Sequence, residues 1–89
     1  MRNGRIVSAV RGVIETVAKA LADTPQRVAV AETDHRGTTL IEVTVAPPDV
    51  GKLIGRQGRT IQAMRTLATL AGERLGKKVT LEVRDATGA

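Results

Sequence analysis

The 89-residue sequence contains no cysteine and no phenylalanine, tyrosine or tryptophan. Without cysteine there is no disulfide framework and no thiolate zinc site, a composition that fits a reducing cytosol. Without aromatic rings the core must be built from Ile, Val, Leu, Ala and Met. Base stacking on aromatic side chains, the grip of many single-strand binders, is also excluded. Long apolar runs are missing as well. The one that follows Arg2 and Arg5, from Ile6 to Val10, is broken by Arg11 and falls short of a secretory h-region. No window approaches the ~18 apolar residues of a membrane span. The expectation is a soluble, cytoplasmic chain.

Catalytic residues are equally scarce. There is one histidine, His35, one serine, Ser8, and no pair of carboxylates at helical or loop spacing, so no nucleophile and base can be matched. The glycines form neither a Walker A loop nor a Gly-x-Gly-x-x-Gly fingerprint. The chain is therefore expected not to be an enzyme and to carry no metal or cofactor. Its length suits one domain that buries only ~60% of its unfolded surface.

What is present is charge, placed unevenly. The net charge is +5, from 14 Lys and Arg against 9 Asp and Glu. Between Val50 and Gly72 stand Lys52, Arg56, Arg59 and Arg65 with no acidic residue, so +4 of that charge lies in this stretch. A local basic patch suggests an anionic partner, although a basic solvated helix face gives the same pattern. Within the patch, Gly55-Arg56-Gln57-Gly58 forms a Gly-x-x-Gly turn between two helical segments. Glycines there permit positive φ and leave no Cβ in the way of an approaching ligand. The helix that follows opens with amide N–H groups lacking internal partners, a setting suited to phosphate.

Periodicity orders the rest. Ile6, Val10, Val13, Ile14, Val17 and Leu21 recur at helical spacing, and Asp23-Thr24-Pro25 ends that helix. Gly12 weakens it or marks close packing. Val28 and Val30, then Ile41, Val43 and Val45, alternate about the turn residues Asp34-His35-Arg36-Gly37, a β-hairpin with one buried face and with His35 solvated in its turn. Pro47-Pro48 stops the second strand, and Asp49 reads as an N-cap or first-turn acid of a short helix from Val50 to Ile54. Ile61, Met64, Ala68, Ala71 and Leu75 mark the longest helix after the turn, with Gly76 at its C′ position. Val79, Leu81 and Val83 form a last strand. The connection between the last two strands is long enough for a parallel crossover. The expected fold is α+β, a three-stranded mixed sheet with helices packed on one face. Its core spans about residues 6–84, with loose ends at 1–5 and 85–89.

The string Ile54-Gly55-Arg56-Gln57-Gly58-Arg59-Thr60-Ile61 resembles the signature of K-homology (KH) domains, and the order αββααβ is similar to their type II arrangement. The segment from Val45 to Arg59, the helix running into Leu21-Ala22-Asp23-Thr24-Pro25 and the closing Gly76-Lys77-Lys78-Val79 extend the likeness to the small bacterial single-KH-domain proteins of the KhpA family. Residues 1–5 add to that pattern. The resemblance implies cytoplasmic binding of single-stranded RNA, an RNA-chaperone or post-transcriptional role, and links to cell elongation and cell shape. It also implies self-association as a homodimer, and a complex with a larger KH-containing partner called KhpB, Jag or EloR.

In such domains the glycine loop clamps the backbone of about four nucleotides. Carried onto this sequence, Gly55 and Gly58 allow backbone approach, Arg56 and Gln57 face the phosphates, and Lys52 and Arg59 add charge. Ile54 and Ile61 floor the groove or belong to the core, and Ile41 or Val43 contributes from the second strand. Arg65 stands at the groove edge or in solvent. Roughly three or four neutralised phosphates give a salt slope of roughly −2 to −3 and, without stacking, micromolar or weaker affinity. Two other readings stay open: a protein-interaction module with weak RNA contact, and a single-stranded DNA binder.

Overall fold

The computed structural model of the protein describes residues 2–86, and their side chains from residue 9 onward. Helix α1 (Arg2–Leu21) leads through a short 3-10 turn into strand β1 (Ala29–His35) and strand β2 (Thr38–Val45). A second 3-10 turn at Pro47–Asp49 enters helix α2 (Val50–Ile54), and the glycine turn then passes the chain to helix α3 (Arg59–Leu75) and strand β3 (Lys78–Asp85). The sheet order is β1-β2-β3, with β1 antiparallel and β3 parallel to the central β2. The chain is thus α+β with a three-stranded mixed sheet, as its periodicity predicts.

The core is aliphatic throughout. On β2 every second residue points inward, so Thr39, Ile41, Val43 and Val45 are buried while Leu40, Glu42 and Thr44 are half-exposed. Val79 and Leu81 of β3 extend that face, and Ile14 and Ala18 of α1, Leu53 of α2, and Ile61, Met64 and Ala68 of α3 close over it. The end of α3 carries a complete Schellman arrangement: Gly76 is left-handed at φ 64°, its N–H donates to Glu73 O, and Lys77 N–H donates to Gly72 O. Gly72 lets this end lie against β3. A Cβ there would stand 2.5 Å from Lys77 O and 2.8 Å from Val79 Cγ2.

Several expectations are corrected. The first helix begins at Arg2, so Arg2 to Arg5 are helical and precede the apolar stripe without a break. β3 runs through Asp85, and Ala86 N–H still donates to Val45 O, so the strand outlasts its apolar alternation; residues 87–89, and Met1, lie outside the described residues. The buried face of the hairpin is continuous on β2, whereas on β1 only half-buried Val30 packs against the core. β1 is the outer strand, and its inward positions include Glu32, paired with Arg11 at 3.6 Å, and Asp34, which accepts from the Thr39 hydroxyl. Inward-pointing charge on an edge strand disfavours pairing with another chain. A Cβ at Gly12 would meet no atom within 4 Å, so this glycine serves no close packing within the described chain.

Asp49 stands at the N-cap position of α2, as expected, but its side chain makes no capping hydrogen bond there. Its carboxylate, 1% exposed, instead accepts the backbone N–H groups of Asp23 and Thr24, both at 3.1 Å. A buried carboxylate requires such donors. The bond ties the exit of α1 to the entrance of α2, and so fixes the helix that leads into the glycine turn.

Candidate nucleic-acid interface

The turn between α2 and α3 is built by glycine at two positions for different reasons. Gly55 has φ 77° and ψ 169°, a region that is almost exclusively glycine's. It also lies directly on Thr60, where a Cβ would be 2.7 Å from Thr60 Cβ and 3.0 Å from Thr60 N. Gly58, at φ 72° and ψ 15°, is left-handed but faces open space, with nothing within 4 Å of a Cβ. Gln57 between them is left-handed as well, at φ 57° and ψ 24°, an uncommon conformation for a residue with a side chain. Gly55 N–H donates to Gly51 O at 2.9 Å and Gly58 N–H to Gly55 O at 3.0 Å, so the turn is closed on itself. No side chain caps α3, which leaves the positive end of its dipole facing outward beside Gly58.

The predicted cations divide into two groups. Arg56 and Arg59 are exposed and take part in no ion pair or side-chain hydrogen bond among the described residues, and exposed Gln57 stands between them in the same position. Lys52 is committed elsewhere: its Nζ lies 3.1 Å from Asp23 and 3.9 Å from buried Asp49. Arg65 is held at the sheet, where its Nε donates to Leu81 O at 3.3 Å. Among the described residues β3 pairs with β2 alone, so this bond places Arg65 on the free edge of β3, between that edge and α3.

The apolar residues divide similarly. Ile54, immediately before the turn, is 38% exposed and offers an aliphatic surface next to the glycines. Ile61 is 9% exposed and belongs to the core. Ile41 and Val43 are fully buried on the central strand, beneath the helices. The expectation that they line the groove is corrected, because the strand beside α3 with a free edge is β3 and not β2. His35 is exposed at the end of β1. Two residues of the site were missed in the sequence: Thr60, which supports Gly55, and Asp49, which holds α2 in place. Thr60 lies inside the signature string, but nothing in its spacing shows that it touches a glycine five residues earlier.

The sequence profile described as KhpA/KhpB, KH domain, matches residues 11–83. The chain belongs to this family. A KhpA of Aquifex aeolicus, named an RNA-binding protein, is 42% identical over 77 residues, which are 86% of this chain and 98% of that protein. The RNA-binding protein KhpA of Caldanaerobacter subterraneus is 46% identical over 70 residues, 79% of this chain and 93% of its own. Among solved structures, Era of Aquifex aeolicus bound to GDP and aluminium fluoride superposes with a TM-score of 0.54 at 16% identity, covering 88% of this chain and 31% of Era. Era in complex with a magnesium-bound GTP analogue and nucleotides 1506–1542 of 16S ribosomal RNA gives 0.52, again at 16% identity, over 85% and 29%. At that identity the likeness to Era is one of fold, and it spans under a third of Era. The matched KhpA/KhpB segment contains the whole glycine turn, α3 and nearly all of β3.

Proposed function

We propose that this KhpA/KhpB-family chain binds single-stranded RNA and clamps its sugar-phosphate backbone at the glycine turn. The observation that carries this reading is the exposed turn itself. The left-handed Gly58 presents bare backbone to an open side, and Arg56, Gln57 and Arg59 surround it with no side-chain partner among the described residues. A phosphate placed there meets the uncapped start of α3 and two exposed guanidiniums, which form charge-assisted hydrogen bonds. Lys52 contributes less, because Asp23 and Asp49 already neutralise it. Arg65 flanks the groove from the β3 edge, and Ile54 supplies an aliphatic contact in place of an aromatic platform.

Two free arginines give a salt slope of about −1.4 for a short RNA, shallower than the charge count of the sequence suggests. One such site is weak, and useful affinity comes from a second site on the same RNA or from assembly. The role that follows is that of an RNA chaperone or post-transcriptional regulator acting with a partner. The test is the variant Arg56→Asp/Gln57→Asp, which keeps both glycines and makes the turn repulsive. RNA crosslinking in cells and binding in vitro should both be lost, and unchanged binding overturns the clamp. Competition between matched RNA and DNA oligonucleotides decides which polymer is preferred.

A second reading, a module that self-associates or holds a larger KhpB-type protein, is favoured by a separate surface. Val13, Leu67 and Leu70 are 49%, 43% and 53% exposed. Ala9, Val10, Val13 and Leu67 line an apolar groove of about 130 Å3 between α1 and α3. It lies away from Arg56 and Gln57, so the aspartate variant should keep any partner while losing RNA.

A further inference from the structure

Among the described residues only two without a glycine's freedom have positive φ: Gln57 in the glycine turn and Arg36 in the hairpin turn. Each is followed by a positive-φ glycine, Gly58 at 72° and Gly37 at 83°. A two-residue hairpin turn with both φ positive favours Asn, Asp or Gly at its first position. An arginine there is conformationally costly, and residues kept in sparsely populated backbone regions cluster at functional sites.

The sheet register shows what lies beside Arg36. His35 pairs with Thr38 across the hairpin, and Thr38 pairs with Lys78 at the start of β3. Lys77 and Lys78, which follow the Schellman turn of α3, therefore stand at the same end of the sheet as Arg36, one or two strand spacings away, about 5–10 Å. Arg36 and Lys78 are exposed, Lys77 is half-buried, and none of the three takes part in an ion pair or a side-chain hydrogen bond among the described residues. The acids at that end are Asp34, engaged by the Thr39 hydroxyl, and Glu73 in the last turn of α3. The 17 residues of α3 separate this cluster from the glycine turn, a distance of about 25 Å. Arg65, bonded to Leu81 O near the middle of both α3 and β3, stands between them.

We propose that Arg36, Lys77 and Lys78 form a second phosphate-contacting site for the same RNA strand, which runs from the glycine turn along the free edge of β3. The proposal rests on the clamp reading, and it supplies within one chain the second contact that a weak clamp requires. It predicts a dependence on RNA length. Three further cations add about −2 to the salt slope, but only for an RNA long enough to reach them.

The test measures binding of labelled oligouridylates of about four and about twelve nucleotides, lengths within the range of single-strand sites, as a function of salt. Wild type should bind the longer RNA more tightly and with the steeper slope. The variant Arg36→Glu/Lys77→Glu/Lys78→Glu should lose that difference yet bind the short RNA as wild type does, because a separation of ~25 Å is several Debye lengths at physiological salt. An unchanged length dependence in the folded variant overturns the second site. Loss of short-RNA binding belongs to the clamp alone and is read in the Arg56→Asp/Gln57→Asp variant, so the two failures are distinct. A milder variant guards against misfolding: Arg36→Asn relaxes the left-handed turn and removes the charge. It should melt no lower than wild type while the long-RNA slope falls by about 0.7; an unchanged slope counts against the proposal.

Discussion

The two flanks of the glycine turn use the same residue types to opposite ends. On the α2 flank, Lys52 is paired with Asp23 and Asp49, the Asp49 carboxylate is sealed behind two backbone N–H groups, and Gly55 is pressed onto Thr60. On the α3 flank, Arg56, Gln57 and Arg59 are exposed and uncommitted among the described residues, and Gly58 faces open space. The difference separates anchoring from presentation. A basic residue near a glycine turn is available to a ligand only to the extent that the fold has not already engaged it, and formal charge in the sequence does not distinguish the cases.

The anchoring flank should break in stability. Gly55→Ala combines backbone strain of about 1–3 kcal/mol with overpacking against Thr60 of similar size. It is expected to lower the unfolding free energy by about 3–5 kcal/mol, measured by denaturant titration, and a loss under about 1 kcal/mol would show that the turn relaxes freely. Asp49→Ala removes the acceptor of two part-buried backbone N–H groups and should cost about 1–3 kcal/mol in the same titration, with the melting temperature falling accordingly. Gly58→Ala meets no neighbour, so only its left-handed φ is penalised. The expected loss is about 1–2 kcal/mol, which makes the ratio of the Gly55 and Gly58 effects a direct measure of the asymmetry between the flanks. On the presenting flank, Arg56→Ala and Arg59→Ala should change stability by less than about 0.5 kcal/mol.

Much of this organisation is legible in the sequence because it is local. The order of elements follows from 3.6-residue and two-residue periods, the α3 terminus from Gly76, and the glycine turn from its own spacing. What the sequence leaves hidden depends on contacts between distant segments. Asp49 reads locally as a cap, yet its partners, Asp23 and Thr24, lie 26 and 25 residues away. Ile41 and Val43 look equally suited to a groove wall or a core until β2 proves to be the central strand. Val13 fits the apolar stripe of α1 by spacing but faces outward, while Ala18, too small to stand out in the pattern, is fully buried. Gly72 resembles a helix-weakening glycine, and only the approach of β3 shows why a Cβ is not tolerated.

The most direct measurement is the salt dependence of binding to a short single-stranded RNA, compared among wild type, Lys52→Ala and Arg56→Ala/Arg59→Ala. If the free arginines hold the backbone, the double variant loses about 1.4 from the slope of log K against log salt, while Lys52→Ala leaves the slope nearly unchanged. A slope that falls with Lys52→Ala and survives loss of both arginines would contradict the account.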